Sequence, residues 1–160
     1  MNNEVNTSVV YDDILQFVSF TIGNEEYAVN ILQVQEILKM MEITAIPQTP
    51  AFIEGIVNLR GKVVPVINLR TKLNLDKIEY DHNTRIIVVN INDKTIGFIV
   101  DNVREVLRIP KSITELPPQL VNGINTEYFS SIAKLENRLI IILNIDNLLS
   151  KDEIDKLDIV

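Results

Sequence analysis

The chain has 160 residues, 46% of them hydrophobic, and a formal net charge of −7. That length suits one compact unit or two very small ones, and the acidic balance counts against nucleic-acid binding, because phosphate backbones would be repelled. Cysteine is absent, which excludes disulfides, thiol catalysis and thiolate metal sites and fits a reducing compartment. The opening residues MNNEVNTSVVYDD lack the basic and then apolar pattern of a secretory leader. The longest aliphatic runs, such as Leu139–Leu143, fall far short of the roughly 18 residues a membrane helix needs. A soluble cytoplasmic protein without membrane insertion is expected.

In chain order, the elements read mostly as strands. Residues 1–13 form a polar tail, expected to be flexible. LQFVSFTI (Leu15–Ile22), the turn residues Gly23-Asn24 and EYAVNI make a hairpin pattern of β-branched and aromatic runs about a polar turn. NILQVQEIL follows, with Ile31, Val34, Ile37 and Leu38 at helical spacing, so a helix is expected there. KMMEITAIP places Met40 and Met41 next to each other. Two adjacent methionines on a strand cannot both enter one core, and exposed methionine suits adaptable protein-binding surfaces. A tight turn at Arg60-Gly61 precedes KVVPVINL, which is apolar at consecutive positions and so has no wet face. Pro65 in that strand cannot donate to a ladder, which predicts an edge or a bulge. The polar tract DKIEYDHNT (Asp76–Thr84) reads as a junction. A second hairpin pattern follows, RIIVVNI, Asn92-Asp93 and TIGFIV. VDNVREVL is compatible with helix or strand. After Pro117 and Pro118 comes the apolar strand RLIIILNI. NIDNLLSKDEIDKL is amphipathic, with Ser150 and Glu153 at capping-box spacing, and predicts a C-terminal helix.

The two hairpins match each other at an offset of 69 residues: Ile22/Ile91, Val34/Val103, Glu36/Glu105 and Leu38/Leu107 are identical, and Ala28/Gly97 and Ile37/Val106 are similar. A second match runs at an offset of 76, with Leu59/Leu135 and Asn68/Asn144 identical and Lys62/Arg138, Val64/Ile140 and Val66/Ile142 close. Two ordered matches imply a duplicated, strand-rich unit of roughly 65–75 residues. Short strands separated by turns favour small closed barrels, which remove exposed edges. The expected fold is therefore mostly β: two small five-stranded SH3-like β-barrels packed together, with short helices and a C-terminal helix. Their expected spans are 14–78 and 79–146, with strand exchange between them allowed, and 147–160 for the final helix. The apolar strands then fill their own barrel on one face and a layer between the barrels on the other. At the turn, Arg60-Gly61 matches Glu136-Asn137, so both halves want a residue tolerant of positive φ while the fold itself does not ask for arginine.

Catalytic signatures are sparse. The single histidine, His82, lies in the polar junction. The carboxylates do not fall into calcium-loop or zinc-helix spacing, and no glycine-rich loop resembles a phosphate cradle. A non-enzymatic binding module without cofactor or metal is the reading these residues favour.

The combined pattern resembles the CheW family, the coupling proteins of bacterial chemotaxis. The residues that carry the resemblance are FTIGNEEYAVNILQVQEIL, IPQTPAFIEGIVNLRGKVVPVINLR, GFIVDNVREVL and NIDNLL, and it runs from about Leu15 to Leu149. Related domains occur in the kinase CheA and the adaptor CheV, fused there to further domains. The resemblance implies a non-enzymatic adaptor, monomeric when free and recruited to membrane receptor arrays. Such an adaptor bridges the cytoplasmic tip of methyl-accepting chemotaxis receptors to the CheW-like regulatory domain of the histidine kinase CheA. It places a receptor-binding groove between the barrels, lined or flanked by Ile31, Val34, Glu36, Arg60 and Val106, with Glu54, Thr84 and Arg85 joining them. It places a kinase-binding surface at an apolar end of the first barrel, with Met41, Ile43, Gly55, Val57 and Val64. Many relatives read PVIDLR where this chain has Asn68. The match of Asn68 to Asn144 suggests a structural hydrogen-bonding role there.

Overall fold

The computed structural model describes residues 13–116 and 128–157. The strands are β1 (Ile14–Ile22), β2 (Glu25–Asn30), β3 (Val34–Lys39), β4 (Ile53–Leu59), β5 (Lys62–Asn68), β6 (Arg85–Ile91), β7 (Lys94–Val100), β8 (Asn102–Pro110), β9 (Thr114–Glu115), β10 (Phe129–Leu135) and β11 (Arg138–Leu143). Two short helices, α1 (Leu69–Lys72) and α2 (Lys151–Lys156), follow β5 and end the described chain. The strands form a six-stranded sheet, β8-β1-β2-β11-β10-β9, and a five-stranded sheet, β3-β6-β7-β5-β4.

The repeat found in the sequence is present in the pairing. At the two offsets β3, β6, β7, β5 and β4 correspond to β8, β1, β2, β11 and β10, which is the same order in both sheets. Each sheet has one parallel pair, Val66↔Gly97 in one and its counterpart Ile142↔Ala28 in the other. Even the bulges correspond. Gln35 and its counterpart Arg104 are skipped in the ladders to β6 and β1. Glu54 and its counterpart Ser130 are skipped in the other hairpins. Neither sheet is built from one sequence half, however. The hairpin β1–β2 joins strands of the second half, and β6–β7 joins strands of the first. The expected boundary at 78/79 thus divides the chain in sequence, while the sheets exchange strands across it.

Strands without a wet face are explained by three apolar cores. On β6, Ile86 and Val88 enter the core of the five-stranded sheet with Val57, Val64, Val66 and Ile99. Ile87, Val89 and Ile91 on the same strand face a middle core shared with Val18, Phe20, Ile22 and Val29 of the other sheet. The six-stranded sheet encloses its own core of Phe17, Ala28, Leu107, Ile109, Ala133, Ile140 and Ile142. Each fully buried Ile or Val contributes about 1.5–3 kcal/mol, so strands used on both faces cement the two sheets into one body. The five-stranded sheet closes on itself where Thr44, beyond β3, bridges Ile56 of β4 through two N–H···O bonds of 2.9 Å.

Three local expectations are corrected. Ile31–Gln33 is a single 3-10 turn and Val34 onward is strand β3, because pairing with β6 overrides the helical spacing. Met40, Met41 and Ile43 all pack against the core of the five-stranded sheet, since the chain there has left the strand and no longer alternates. Pro65 lies on an interior strand, not an edge; the parallel ladder to β7 begins only at Val66, so its missing N–H costs no bond there. The C-terminal helix spans Lys151–Lys156 and carries the expected capping box between Ser150 and Glu153. Lys72 reaches it, 2.7 Å from the Glu153 carboxylate, from a site over the Phe52 and Tyr128 rings. The tail up to Asp12, the Pro117-Pro118 connection and residues 158–160 lie outside the described residues.

Candidate functional site

Where β2 gives way to β3, the chain crosses from one sheet to the other. Asn30 accepts a bond from the Leu32 N–H at 2.9 Å and so starts the 3-10 turn. That turn touches both β1 and β6. It seats Ile31 against the middle core and turns Leu32 outward, 89% exposed. Val34 and its counterpart Val103 pack against the same core. Residues directly opposite each other on neighbouring strands share a face. Val106 lies opposite Val18, a middle-core residue, yet is 52% exposed. Ile37 lies opposite Ile87 and is 41% exposed. The outer strands β3 and β8 therefore raise Ile37 and Val106 as two apolar walls beside the middle core, with Ile31 and Val34 between the sheets.

A charged pair stands on the other face of β3, where Glu36 lies opposite Val88. Asn58 accepts from the Gly61 N–H at 2.8 Å and folds the β4–β5 turn, in which Arg60 (φ 52°) and Gly61 (φ 84°) are both left-handed. Such a turn matches the twist of the strands. It projects Arg60 toward Glu36 on β3, and the guanidinium donates from both terminal nitrogens to the two carboxylate oxygens. These hydrogen bonds hold the Glu36 carboxyl below the usual carboxylate range and raise the Arg60 guanidinium further. The Arg60 side chain is 71% exposed, so the pair is worth little to the fold. It fixes the direction of a fork of donors on open surface.

The expected receptor-binding residues do not all gather in one place. Ile31, Val34 and Val106 stand at the inter-sheet groove, whereas Glu36 lies opposite Val88, a residue of the five-stranded sheet's own core, on the other face of β3 from Ile37, where Arg60 pairs with it. Glu54, Thr84 and Arg85 lie at the other end of the five-stranded sheet. Glu54 stands 2.8 Å from Lys77 and accepts from Asn68 at 3.1 Å. Thr84 is 4% exposed, with its hydroxyl accepting from the Asp81 N–H. Arg85 donates to the His82 and Thr84 carbonyls. Asn68 has the structural role expected of it: it is buried, bonds Glu54 and accepts from the Thr71 N–H to start α1.

The expected kinase-binding residues sit together where the five-stranded sheet closes. Val57 and Val64 are buried in its core and offer no surface of their own. Gly55 has φ 152°, and a Cβ there would stand 2.1 Å from the Thr44 carbonyl oxygen, so glycine is required by the closure. Only the half-buried Met41 and Ile43 reach the surface. Ile37 is a groove residue that the sequence did not assign to the site. The repeat carried the signal for Ile37, because it is the counterpart of Val106. Among the described residues, no three His, Asp or Glu side chains gather to hold a metal ion. No helix among them is long and apolar enough to cross a membrane.

Residues 16–153 match the family model described as the CheW-like domain. The chain belongs to the CheW-like family. Two relatives called chemotaxis protein CheW are each 40% identical to it. For the one from Klebsiella aerogenes the match covers 89% of this chain and 86% of the relative; for the one from Helicobacter pylori, 88% and 85%. Among solved structures, the scaffolding protein CheW from Thermoanaerobacter tengcongensis superposes with a TM-score of 0.80 at 38% identity, covering 89% of this chain and 92% of that one. The double-sheet arrangement is thus the CheW fold, and its inter-sheet groove and Arg60–Glu36 pair sit within the matched span.

Proposed function

We propose that this protein is a non-enzymatic cytoplasmic chemotaxis scaffold that couples the tips of methyl-accepting chemoreceptors to the kinase CheA. Family membership supports the scaffold role, and the relatives' names supply the chemotaxis setting. The observation that carries the receptor half of the proposal is the exposed apolar pair Ile37 and Val106 at the lip of the middle core; Glu36, next to Ile37 on β3, turns to the strand's other face and pairs with Arg60. A helical receptor tip offers an apolar stripe, which such a groove reads through a few side chains at helical spacing. Arg60 then exchanges one of its bonds with Glu36 for a receptor carboxylate or a helix-end carbonyl, which sets orientation more than affinity. The second interface, to the regulatory domain of CheA, uses the surface around Met41 and Ile43, shaped from beneath by Gly55, Val57 and Val64.

The test is a pull-down with purified CheA and a receptor-tip fragment, separately and together. Arg60→Ala is expected to fold as the parent does, retain CheA and lose receptor. Substitution of Met41 and Ile43 by serine is expected to do the reverse. Equal retention of both partners by all variants would refute the proposed division of surfaces.

A further inference from the structure

Strand β3 ends in Lys39, which lies directly opposite Arg85 at the start of β6. Residues paired in this way share a face, with Cβ atoms about 5 Å apart, so two cations there repel each other. Among the described residues neither makes an ion pair. Arg85 is half-buried and donates to the His82 and Thr84 carbonyls at 2.8 and 2.9 Å, both times from one terminal nitrogen. The rest of its guanidinium fork keeps its donors. With Met40, Asp81, His82 and Thr84, the two cations line an open cavity of about 310 Å³. Asp81 contributes the carboxylate of that lining, and it is engaged in its own turn, accepting from the Asn83 N–H at 2.8 Å.

The repeat shows that the fold does not ask for this pairing. At the offset of 69, Lys39 corresponds to Arg108 and Arg85 to Gln16, and Arg108 lies opposite Gln16. The same ladder position in the six-stranded sheet thus holds one cation instead of two. In a chain of net charge −7, two cations set against each other make a seat for an anion from outside. Their position says where it comes from. No register shift separates Ile37↔Ile87 from Lys39↔Arg85, so the cations stand on the same face as Ile37, the exposed groove wall, two residues further along β3. Arg85 is at the far end of β6 from the crossing turn, yet on the groove side of its strand. Two strand residues advance about 6.6 Å, and four helix residues about 6 Å. A helix lying along β3 with an apolar side chain on Ile37 therefore brings the residue one turn away over Lys39 and Arg85.

We propose that Lys39 and Arg85 receive a carboxylate of the docked receptor helix, placed one helical turn from the apolar side chain that covers Ile37. The acidic side chain enters the cavity between the two cations, takes the unused donors of the Arg85 fork, and relieves their mutual repulsion. This rests on the receptor groove proposed above and adds to it the charge and the spacing of one partner residue.

The test is calorimetric titration of the full chain with a purified helical hairpin fragment of a receptor tip, at low salt and in about 0.5 M salt, where exposed charges are screened. Lys39→Glu sets a carboxylate opposite Arg85, so it is expected to raise the thermal midpoint by about 1–3 °C. The same variant is expected to weaken binding about tenfold at low salt and to come within about twofold of the parent at high salt. Reversal of one acidic residue of the fragment to lysine, one turn from its apolar anchor, is expected to restore the affinity of Lys39→Glu, and reversals elsewhere are not. Ile37→Ala with Val106→Ala reads the groove itself and is expected to lose affinity at both salts. If that pair loses affinity while Lys39→Glu binds as the parent does at low salt, the anion seat is overturned and the groove stands. A loss in Lys39→Glu that persists at high salt, or that no charge reversal in the fragment restores, overturns it as well. If neither Lys39→Glu nor the groove pair loses affinity, the groove reading and the seat fall together.

Discussion

Truncating both apolar walls of the groove is the sharpest test of its role. Fully burying a Val or Ile side chain is worth about 1.5–3 kcal/mol. Val106 is 52% and Ile37 41% exposed in the free protein, so roughly half of that remains to be gained when a partner covers them. Val106→Ala and Ile37→Ala should each cost binding about 1 kcal/mol, or about fivefold in Kd. They lie on different sheets and share no pairing, so the double variant should lose about 2 kcal/mol, near 30-fold. The assay is calorimetric titration with a helical hairpin fragment of a receptor tip, with thermal melts alongside. The part of each side chain already buried predicts a midpoint drop of about 2–4 °C per substitution, leaving both variants folded at assay temperature. A double variant that binds within twofold of the parent would refute the groove as the docking site. Ile87→Ala, in the middle core beneath, serves as the contrasting case: it should lower the midpoint far more, by the larger cost of a cavity.

Gly55→Ala should be severely destabilising, by about 3 kcal/mol or more, because the new Cβ meets backbone at Thr44 and the residue must hold φ 152°; chemical denaturation measures it. Arg60→Ala should leave the thermal midpoint within about 2 °C, as an exposed pair implies, while lowering both receptor affinity and the salt dependence of that affinity. Acid stability should fall in a defined window. Burial pushes the Glu26 and Asp101 carboxyls up, but hydrogen bonds from Arg138 and Ser19 to Glu26, and from Arg70 and Gly23 to Asp101, outweigh it and leave both below their ordinary values. Their stabilisation is therefore full above the unfolded-state values near 4 and is lost as pH falls below them through the lower folded values. Melts from pH 7 to 2 should show a midpoint that is flat above about 5, then drops, and Asp101→Asn should shrink the drop.

The features legible in the sequence were those with local or repeating causes. Turn residues between β-branched runs marked the hairpins, the two offsets marked the repeat, and strands without a wet side foretold a core on each face. Ser150 and Glu153 announced the capping box of α2. What escaped was set by distance along the chain. The exchange of β1–β2 and β6–β7 leaves each strand's composition unchanged, so nothing in a hairpin says which sheet it will join. The ion pair of Arg60 with Glu36 joins a turn to a strand in a different hairpin, and the sequence hinted only that Arg60 was free of the fold. The family resemblance placed Val57 and Val64 on a partner surface, yet both are buried, and a strand pattern does not say which face closes over a core.

The duplicated fold also shows why only one half carries the charged fork. Glu105 stands where Glu36 does, but Glu136 replaces Arg60, so the second half cannot form that pair. Arg138, the counterpart of Lys62, takes Glu105 instead at 3.1 Å and also holds the nearly buried Glu26. In the first half the corresponding contact is only Lys62 on the Thr95 hydroxyl at 2.9 Å. A cation at the turn tip is left on open surface, whereas a cation at the strand start is drawn onto a carboxylate that needs it. Moving the positive charge between the turn tip and the strand start therefore changes which carboxylate the hairpin holds: Glu36 on β3 in the first half, Glu26 and Glu105 in the second. The double exchange Glu136→Arg with Arg138→Lys should build the fork in the second half, pairing residue 136 with Glu105, and should leave Glu26 with one arginine fewer. A crystal structure of that variant showing no contact between residue 136 and Glu105 would break this account of how the two halves diverged.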